Sequence, residues 1–401
     1  MVPLHSVSIT ADGYRLIATR GLRGFGDGLI AVSLSAYLSN QLGYSATRIG
    51  IVVTGMLLGS ALLTLLTGTA ASGLSRRSLL RAGALLAIAT GLVFATTTSF
   101  ALLLIAGVIG TVNPTSGDVS VFQPIEQALL PDTTSTERRS SVFARYTFAG
   151  SFAAAAGALS AGLPKLMGWR PQSVFLVYSL VAALGLMVYL SMTSGVEGSS
   201  LVTPTALRES KQIVYRLAAL FSLDSFGGGF VPQSILALWL FRRFDFSLAR
   251  AGLVFAGMGV LSAASGFAAT RIERRLGPIR TMSLTHMPAQ MLLIAAAFMP
   301  NGTAAVFCLL GRSLLASMDV PVRNAYVMSV VVPAERAAAA SVTNVPRSLA
   351  SALPPLGAGW MLDHSMFGWP LICAGICKLT YDLLLLKMFG SVALKPSKHK
   401  A

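Results

Sequence analysis

The sequence predicts an all-α membrane protein of twelve transmembrane helices in two repeated six-helix halves. Three observations carry that prediction. The chain of 401 residues is 54% hydrophobic and only 11% charged, whereas a soluble domain carries about 25% charged residues. Apolar runs long enough to cross a bilayer core, about 20 residues, recur along its length, as in "IGIVVTGMLLGSALLTLLTGTAA" and "VFLVYSLVAALGLMVYL". The first half of the chain is also repeated in the second.

The spans are placed at 16–38, 48–70, 78–97, 100–128, 140–163, 172–193, 214–240, 250–270, 280–299, 303–330, 337–361 and 369–390. Span 1 carries Arg20, Arg23 and Asp27, whose i, i+3 and i+7 spacing puts all three on one helix face. Span 2 is a plain apolar run, and the loop to span 3 holds Arg76, Arg77 and Arg81. Span 4 begins as "ALLLIAGVIG" and runs into the polar "TVNPTSGDVSVFQPIEQALLPD" (111–132). There Pro114 breaks the helical ladder, and freed backbone carbonyls are tolerated in a membrane where they line a cavity. Asn113, Asp118, Gln123 and Glu126 are therefore expected on a cavity wall. Spans 5 and 6 follow, Arg145 lying on span 5.

The polar stretch 193–213 is the linker, leaving 1–192 as the N-terminal half and 214–401 as the C-terminal half. Span 7 brings Asp224, span 9 His286, span 10 Arg312, Asp319 and Arg323, and span 11 Arg347.

The net charge of +16 suggests no nucleic-acid partner, because the basic residues fall mainly in short loops on alternate sides of the spans. That is the positive-inside bias. It places both termini in the cytoplasm, as an even span count requires, with a bacterial-type plasma (inner) membrane as the expected site. The N-terminal "MVPLHSVSITADGYRL" has no removable signal-peptide pattern.

The repeat is direct. "YRLIATRGLRGFGDGLIAVSLSAYL" from Tyr14 aligns with "YRLAALFSLDSFGGGFVPQSILALW" from Tyr215, and "QPIEQA" (123–128) resembles "VPVRNA" (320–325). Asp224 then matches Arg23, and Arg323 matches Glu126.

Two parallel six-helix repeats resemble the major facilitator superfamily, and the resemblance covers nearly the whole chain. It implies two pseudo-symmetric six-helix bundles that rock around a midplane site, with spans 1, 4, 7 and 10 lining the cavity. The family's loop signature between spans 2 and 3 is kept at Gly68, Arg76 and Arg77 of "GTAASGLSRR", with Ser72 and Gly73 in place of its Asp and Arg. The arginine common on span 4 is replaced near Ala106, and the Gly-Pro signature of span 5 is absent from "AGSFAAAAGALSAG".

An ionisable group at mid-membrane costs at least about 2.5–3.5 kcal/mol, so it marks a cavity or a partner. Asp27, Asp118, Arg23, Arg20, Asp224, Asn113 and Gln123 are the candidates for handling protons or substrate. Glu126 and Arg323, opposite in sign at equivalent repeat positions, suit a salt bridge between halves, and Asp319, Arg312 and Arg323 complete the gating set. The bland alternative pairs Asp27 with Arg23 and Asp319 with Arg323, each four residues apart on one helix.

Cys308, Cys373 and Cys377 lie in apolar runs, where a soft-metal or arsenic site competes with ordinary buried thiols. No second ligand stands near His286 in sequence, so polar packing is the simpler role. Tyr14, Trp169, Trp239, Trp360 and Trp369 mark span ends as an interfacial belt would. "GLRGFGDG" follows no strand, so its glycines are not a dinucleotide loop. No P-loop and no cofactor motif occur, so transport cannot run on the chain's own ATP hydrolysis.

The expected function is alternating-access transport of a small-molecule substrate, with proton-coupled efflux by a monomer as the leading form. A symporter or uniporter importing a polar solute, and metalloid efflux, use the same cavity. An intramembrane enzyme would need a convergent nucleophile and base, which the scattered histidines do not offer. A non-transporting scaffold is the remaining rival.

Overall fold

The computed structural model describes residues 9–69, 75–115, 120–135, 138–193, 207–332 and 335–390. These residues form helices and turns, with no strand among them. Spans 1 to 3 are α1 (Ala11–Ala36), α2 (Ala46–Thr69) and α3 (Arg76–Thr96). Span 4 is split into α4 (Phe100–Ile109) and α5 (Phe122–Leu129). Span 5 is α6 (Arg139–Ser160), followed by the single turn α7 (Leu163–Leu166), and span 6 is α8 (Ser173–Leu190). Span 7 is split into α9 (Lys211–Gly229) and α10 (Gln233–Phe244). Spans 8 and 9 are α11 (Leu248–Leu276) and α12 (Pro278–Phe298). Spans 10 and 11 are split as α13 (Gly302–Ala316) with α14 (Asp319–Val330), and α15 (Arg336–Ala352) with α16 (Pro354–His364). Span 12 is α17 (Trp369–Phe389).

Local chemistry accounts for many of these boundaries. The hydroxyls of Thr10 and Ser75 and the amide oxygen of Asn301 accept from the first-turn N–H groups of Gly13, Ser78 and Ala304, capping α1, α3 and α13. Proline lacks an N–H and ends a helical ladder. Pro114 lies in the break of span 4, Pro232 is the N-cap of α10, and Pro354 and Pro355 open α16. Span 10 breaks at Ser317 and Met318, next to the acidic start of α14 at Asp319. Four helical stretches, Ala46–Thr67, Arg76–Thr96, Ser173–Leu190 and Leu248–Ser265, are long and apolar enough to cross a bilayer unaided. Breaks shorten several of the other spans, and buried charge interrupts α1.

The chain forms two compact units. The first holds 1–201, 229–260 and 352–370; the second holds 202–228, 261–351 and 371–401. In the first, α1 and α6 touch backbone to backbone. A Cβ on Gly24 would stand 2.3 Å from the Gly150 carbonyl oxygen, and one on Gly28 2.0 Å from that of Ala154. Small residues allow this approach, the usual device of membrane helix pairs. At the far end of the same unit α2 meets α16 as closely, with a Cβ on Gly359 only 2.2 Å from the Ala46 carbonyl oxygen. Asp363 seals that contact: its carboxylate accepts from the N–H groups of Ala46 and Thr47, each at 2.8 Å, from the Thr47 hydroxyl at 2.7 Å, and from Arg242 at 3.0 Å.

In the second unit Val214, Leu217, Phe221, Met282, Val322 and Leu385 build the apolar core. Glu335 closes its loop end by accepting from the backbone N–H groups of Arg208, Glu209 and Ser210 at 2.7–3.0 Å. Burial opposes the charge on Glu335, but those backbone donors outweigh it and hold the carboxyl below its ordinary range. A depressed carboxyl stabilises the fold above its unfolded pKa, and that contribution is lost as pH falls through the folded value. The melting temperature is therefore expected to fall on acidification below about pH 4, and to fall less in Glu335→Gln, as read by thermal unfolding across a pH series.

Large apolar side chains such as Phe148, Phe152, Leu180, Leu253 and Phe307 stand exposed on the outside of the helices, as lipid contact requires. Tyr14, Trp169, Trp360 and Trp369 are exposed too. Trp239 is not: α10 is buried from Ser234 to Leu240, and the indole packs edge-on against Phe244.

Candidate functional site: two buried charge clusters of opposite polarity

The first cluster joins spans 1, 4, 5 and 6 within the first unit. Arg23 on α1 donates through Nη1 and Nη2 to the two oxygens of Glu126 on α5, each at 2.6 Å. Glu126 also accepts from the hydroxyls of Thr19, Tyr146 and Tyr189, each at 2.6 Å. The carboxylate is 0% exposed, and five donors saturate it. The Arg23 guanidinium stacks 4.6 Å from the Phe122 ring centroid. A buried ion pair offsets its desolvation only with such geometry and with its remaining sites hydrogen-bonded.

One turn beyond Arg23, Asp27 is 5% exposed and accepts no hydrogen bond from the described residues. It lines a cavity of ≈ 20 Å³ with Arg23, Thr111, Ser120, Tyr178 and Tyr189, room for a water or so. Arg20, one turn before, is also buried. Its Nε and Nη1 have no hydrogen-bond partner among the described residues, and its guanidinium lies 5.7 Å from the Tyr146 ring centroid. The i, i+4 pairing of Arg23 with Asp27 thus gives way to Arg23 with Glu126.

The break in span 4 is shaped by Asn113, whose Oδ1 accepts from the Thr115 N–H at 2.9 Å and the Thr115 hydroxyl at 2.6 Å. The carbonyl of Pro114 accepts from the N–H of Ser234 at 3.2 Å, so the break in span 4 satisfies the start of α10. Gln123 Oε1 is buried without a partner among the described residues. Asp118 lies outside the described residues.

The second cluster joins spans 7, 9, 10 and 12 within the second unit. Asp224 on α9 accepts from Lys378 Nζ on α17 at 2.6 Å and from Arg323 Nη1 on α14 at 3.3 Å. Arg323 also donates to Asp319 at 3.3 Å and lies 5.4 Å from the Phe221 ring centroid. His286 Nδ1 on α12 faces the Asp382 carboxylate at 2.9 Å, and its Nε2 lies 3.9 Å from Asp224 Oδ1. Arg312 on α13 is within electrostatic reach of Asp224.

The sequence repeat gives these clusters a common plan. Arg23 and Asp224 are equivalent, as are Glu126 and Arg323. The cation on span 1 and acid on span 4 become an acid on span 7 and a cation on span 10. Glu126 pairs with Arg23, and Arg323 pairs with Asp224 and Asp319, each inside its own unit.

Other expectations change as well. Arg145 is exposed. Arg347 is half-buried and donates to Ser225 at 3.2 Å. Gly68 lies in the last turn of α2, while Arg76 and Arg77 reach the carbonyls of Ala128 and Met192 at 3.4 and 3.1 Å, meeting acceptors at helix ends. His286 has a close partner after all, 96 residues downstream. Lys378 and Asp382 escaped the sequence reading although their i, i+4 spacing in an apolar run was visible. The three cysteines are free and half-buried, and among the described residues no group of three His, Cys, Asp or Glu could hold a metal ion. Chemically, the clusters are sets of buried ion pairs and hydrogen bonds that hold charge of both signs among the helices.

Comparison with known proteins bears on the fold and the class. A family model described as Major Facilitator Superfamily matches residues 16–355. The Uncharacterized membrane protein YJR124C of Saccharomyces cerevisiae is 22% identical over 421 residues, covering 94% of each chain. The Uncharacterized MFS-type transporter YtbD of Bacillus subtilis is 26% identical over 313 residues, 75% of this chain and 74% of its own. Among solved structures, the D-xylose-proton symporter superposes with TM-score 0.75 at 15% identity, covering 94% of this chain and 97% of that one. The nucleoside transporter NupG gives 0.74 at 15% identity over 95% and 99%. At such identity the structures show the fold alone, which is two bundles of six transmembrane helices.

Proposed function

The chain belongs to the major facilitator superfamily, and from that premise we propose that it is a proton-coupled secondary transporter that exports a small molecule by alternating access. Membership makes it a multi-pass membrane transporter rather than an enzyme. The single observation that carries the finer reading is Asp27, a buried carboxylate that lines a cavity and accepts no hydrogen bond from the described residues. A buried carboxylate that accepts no hydrogen bond is costly to keep charged even with Arg20 and Arg23 near it, so such an acid must be neutralised before the protein changes state. A proton can do this, and so can a donor group of the substrate. An acid that takes one or the other exchanges them, and exchange against an inward proton gradient is export.

In this reading the halves 1–192 and 214–401, joined by the linker 193–213, rock as two bodies in the plasma (inner) membrane of a cell with both termini inside. The protein works as a monomer. Glu126 with Arg23, and Arg323 with Asp224 and Asp319, hold each half rigid. Asp118, Gln123 and Arg20 complete the polar wall on which the substrate rests.

The test uses inside-out vesicles energised to acidify the lumen. Antibiotics, dyes, arsenite, amino acids and organic acids are added in turn while lumenal pH is followed. At least one compound is expected to release protons with the wild type and none with Asp27→Asn. Silence across the panel with correctly inserted protein, or proton uptake together with solute in whole cells, overturns export and makes the protein an importer.

A further inference from the structure

Several arginines at the helix ends of the first unit have an acceptor. Arg15 pairs with Asp12, Arg76 and Arg77 reach the carbonyls of Ala128 and Met192, and Arg242 pairs with Asp363. Arg138 and Arg145 differ. Both are exposed, and neither has a hydrogen bond, ion pair or ring contact among the described residues. They stand at one cavity, walled by Ile9, Tyr14, Arg138, Ser141, Val142 and Arg145, where the start of α1 meets the start of α6. The cavity measures ≈ 190 Å³, against ≈ 20 Å³ for the one at Asp27. Ile9 and Val142 are buried and give it an apolar floor. Tyr14 and Ser141 add side-chain hydroxyls that have no partner among the described residues. No acid of the described residues lines it. Asp12, two residues before Tyr14, is already held by Arg15 and Thr193. Two guanidiniums and two hydroxyls around one space match the oxygens of a phosphate.

The surface beside the cavity supplies the rest of the ligand. Arg138, Ser141, Arg145, Phe148 and Phe152 follow helical spacing and share one face of α6. Phe148 and Phe152 are 58% and 64% exposed, and their rings stack with centroids 5.8 Å apart. From Arg145 to Phe152 the helix rises about 10 Å. Basic and hydroxyl groups at the helix end thus pass directly into an aromatic stripe along the span. The positive-inside bias reads this end of span 5 as cytoplasmic, and the cytoplasmic leaflet carries the anionic lipids.

We propose that this face of α1 and α6 is a binding site for one anionic phospholipid. Its phosphate sits among Arg138, Arg145, Ser141 and Tyr14, and an acyl chain lies along Phe148 and Phe152. A free phosphate would fill the cavity and leave the stripe unused. A phosphatidylcholine would bring a cation beside two arginines that no acid offsets. The bound lipid touches both helices that approach so closely at Gly24 and Gly28. The site stands whether or not transport is coupled to protons.

Purified full-length protein, stripped of lipid in detergent, is titrated with palmitoyl-oleoyl phosphatidylglycerol, with the phosphatidylcholine of the same chains, and with inorganic phosphate. The first adduct is read by native mass spectrometry. An arginine near the surface is worth about fivefold in affinity for anionic lipid. Phosphatidylglycerol should therefore bind more than about tenfold tighter than phosphatidylcholine. Arg138→Gln and Arg145→Gln should each weaken it about fivefold and leave phosphatidylcholine unchanged. Phe148→Ser combined with Phe152→Ser should weaken phosphatidylglycerol several-fold with both arginines in place. Arg170→Gln, which removes an exposed arginine elsewhere on the same unit, should change nothing. All these positions are exposed, so the variants keep the fold. Equal binding of the two lipids, or an equal loss in Arg170→Gln, overturns the proposal. So does inorganic phosphate that displaces phosphatidylglycerol while the double phenylalanine variant binds as the wild type does, a result that would make the cavity a site for free anions.

Discussion

Glu126→Ala is expected to destabilise the protein by about 3–5 kcal/mol, the cost of leaving one charge of a buried pair without its partner. The change strands the Arg23 guanidinium against Phe122 and removes the acceptor shared by Thr19, Tyr146 and Tyr189. Four helices meet at that carboxylate, so no local rearrangement replaces it. Glu126→Gln should cost less, since the amide oxygen still accepts while its NH2 opposes a donor. The double exchange Arg23→Glu with Glu126→Arg copies the polarity of the second cluster and should recover part of the loss. Thermal unfolding in detergent gives all three comparisons. An unchanged melting temperature in Glu126→Ala would mean that the cluster does not hold these helices together.

The second large effect is expected from Gly359→Leu. A Cβ there would stand 2.2 Å from the Ala46 carbonyl oxygen, so α16 must withdraw from α2. Withdrawal also breaks the grip of Asp363 on the first N–H groups of α2 and on Arg242. If alternating access closes and reopens this contact, flux should vanish while the protein still folds. Asp363→Ala removes the cap, about 0.5–2 kcal/mol, together with the ion pair to Arg242, but leaves the backbone contact, and should slow transport without ending it. Burial opposes the charge of Asp363, but the Thr47 hydroxyl and the N–H groups of Thr47 and Ala46 hold its carboxyl below the usual range. The latch is therefore formed above the ordinary carboxylate pKa and lost as pH falls through the depressed value. Vesicle flux reads both variants, and normal flux in Gly359→Leu would show that the contact never needs to form.

Much of this fold could be read from the sequence, because apolar period and length are local properties. The α1, α2, α3 and α17 helices begin within a few residues of their predicted starts. Span 4 was expected to break because Pro114 sits among polar residues. The breaks in spans 7 and 11 lie at Pro232 and Pro354, prolines set in apolar runs where no cluster of polar residues marks them. Trp239 was placed at an interface from its position near a span end, yet depth within a bundle depends on which neighbours cover it. The site was legible residue by residue, but of its pairs only Asp319 with Arg323, four apart on one helix, was legible too. Arg23, Glu126, Asp224, Asp319 and Arg323 stood out as costly charges, whereas their partners are decided by which helix faces meet. Lys378 and Asp382 lie on span 12, which is not among the cavity-lining spans that the family resemblance implies.

The reversed polarity of the two clusters limits how such a chain can be rebuilt. Copies of one ancestral half would begin with the same residues at equivalent positions, so at least one pair has changed both its members. The halves are consequently no longer interchangeable parts. A chimera that placed span 7 where span 1 belongs would set Asp224 beside Glu126, two acids in a dry interior. The reciprocal exchange would oppose Arg23 to Arg323. Recombination between the halves, otherwise an easy source of variety in a duplicated gene, is thereby closed to this protein unless whole bundles move together.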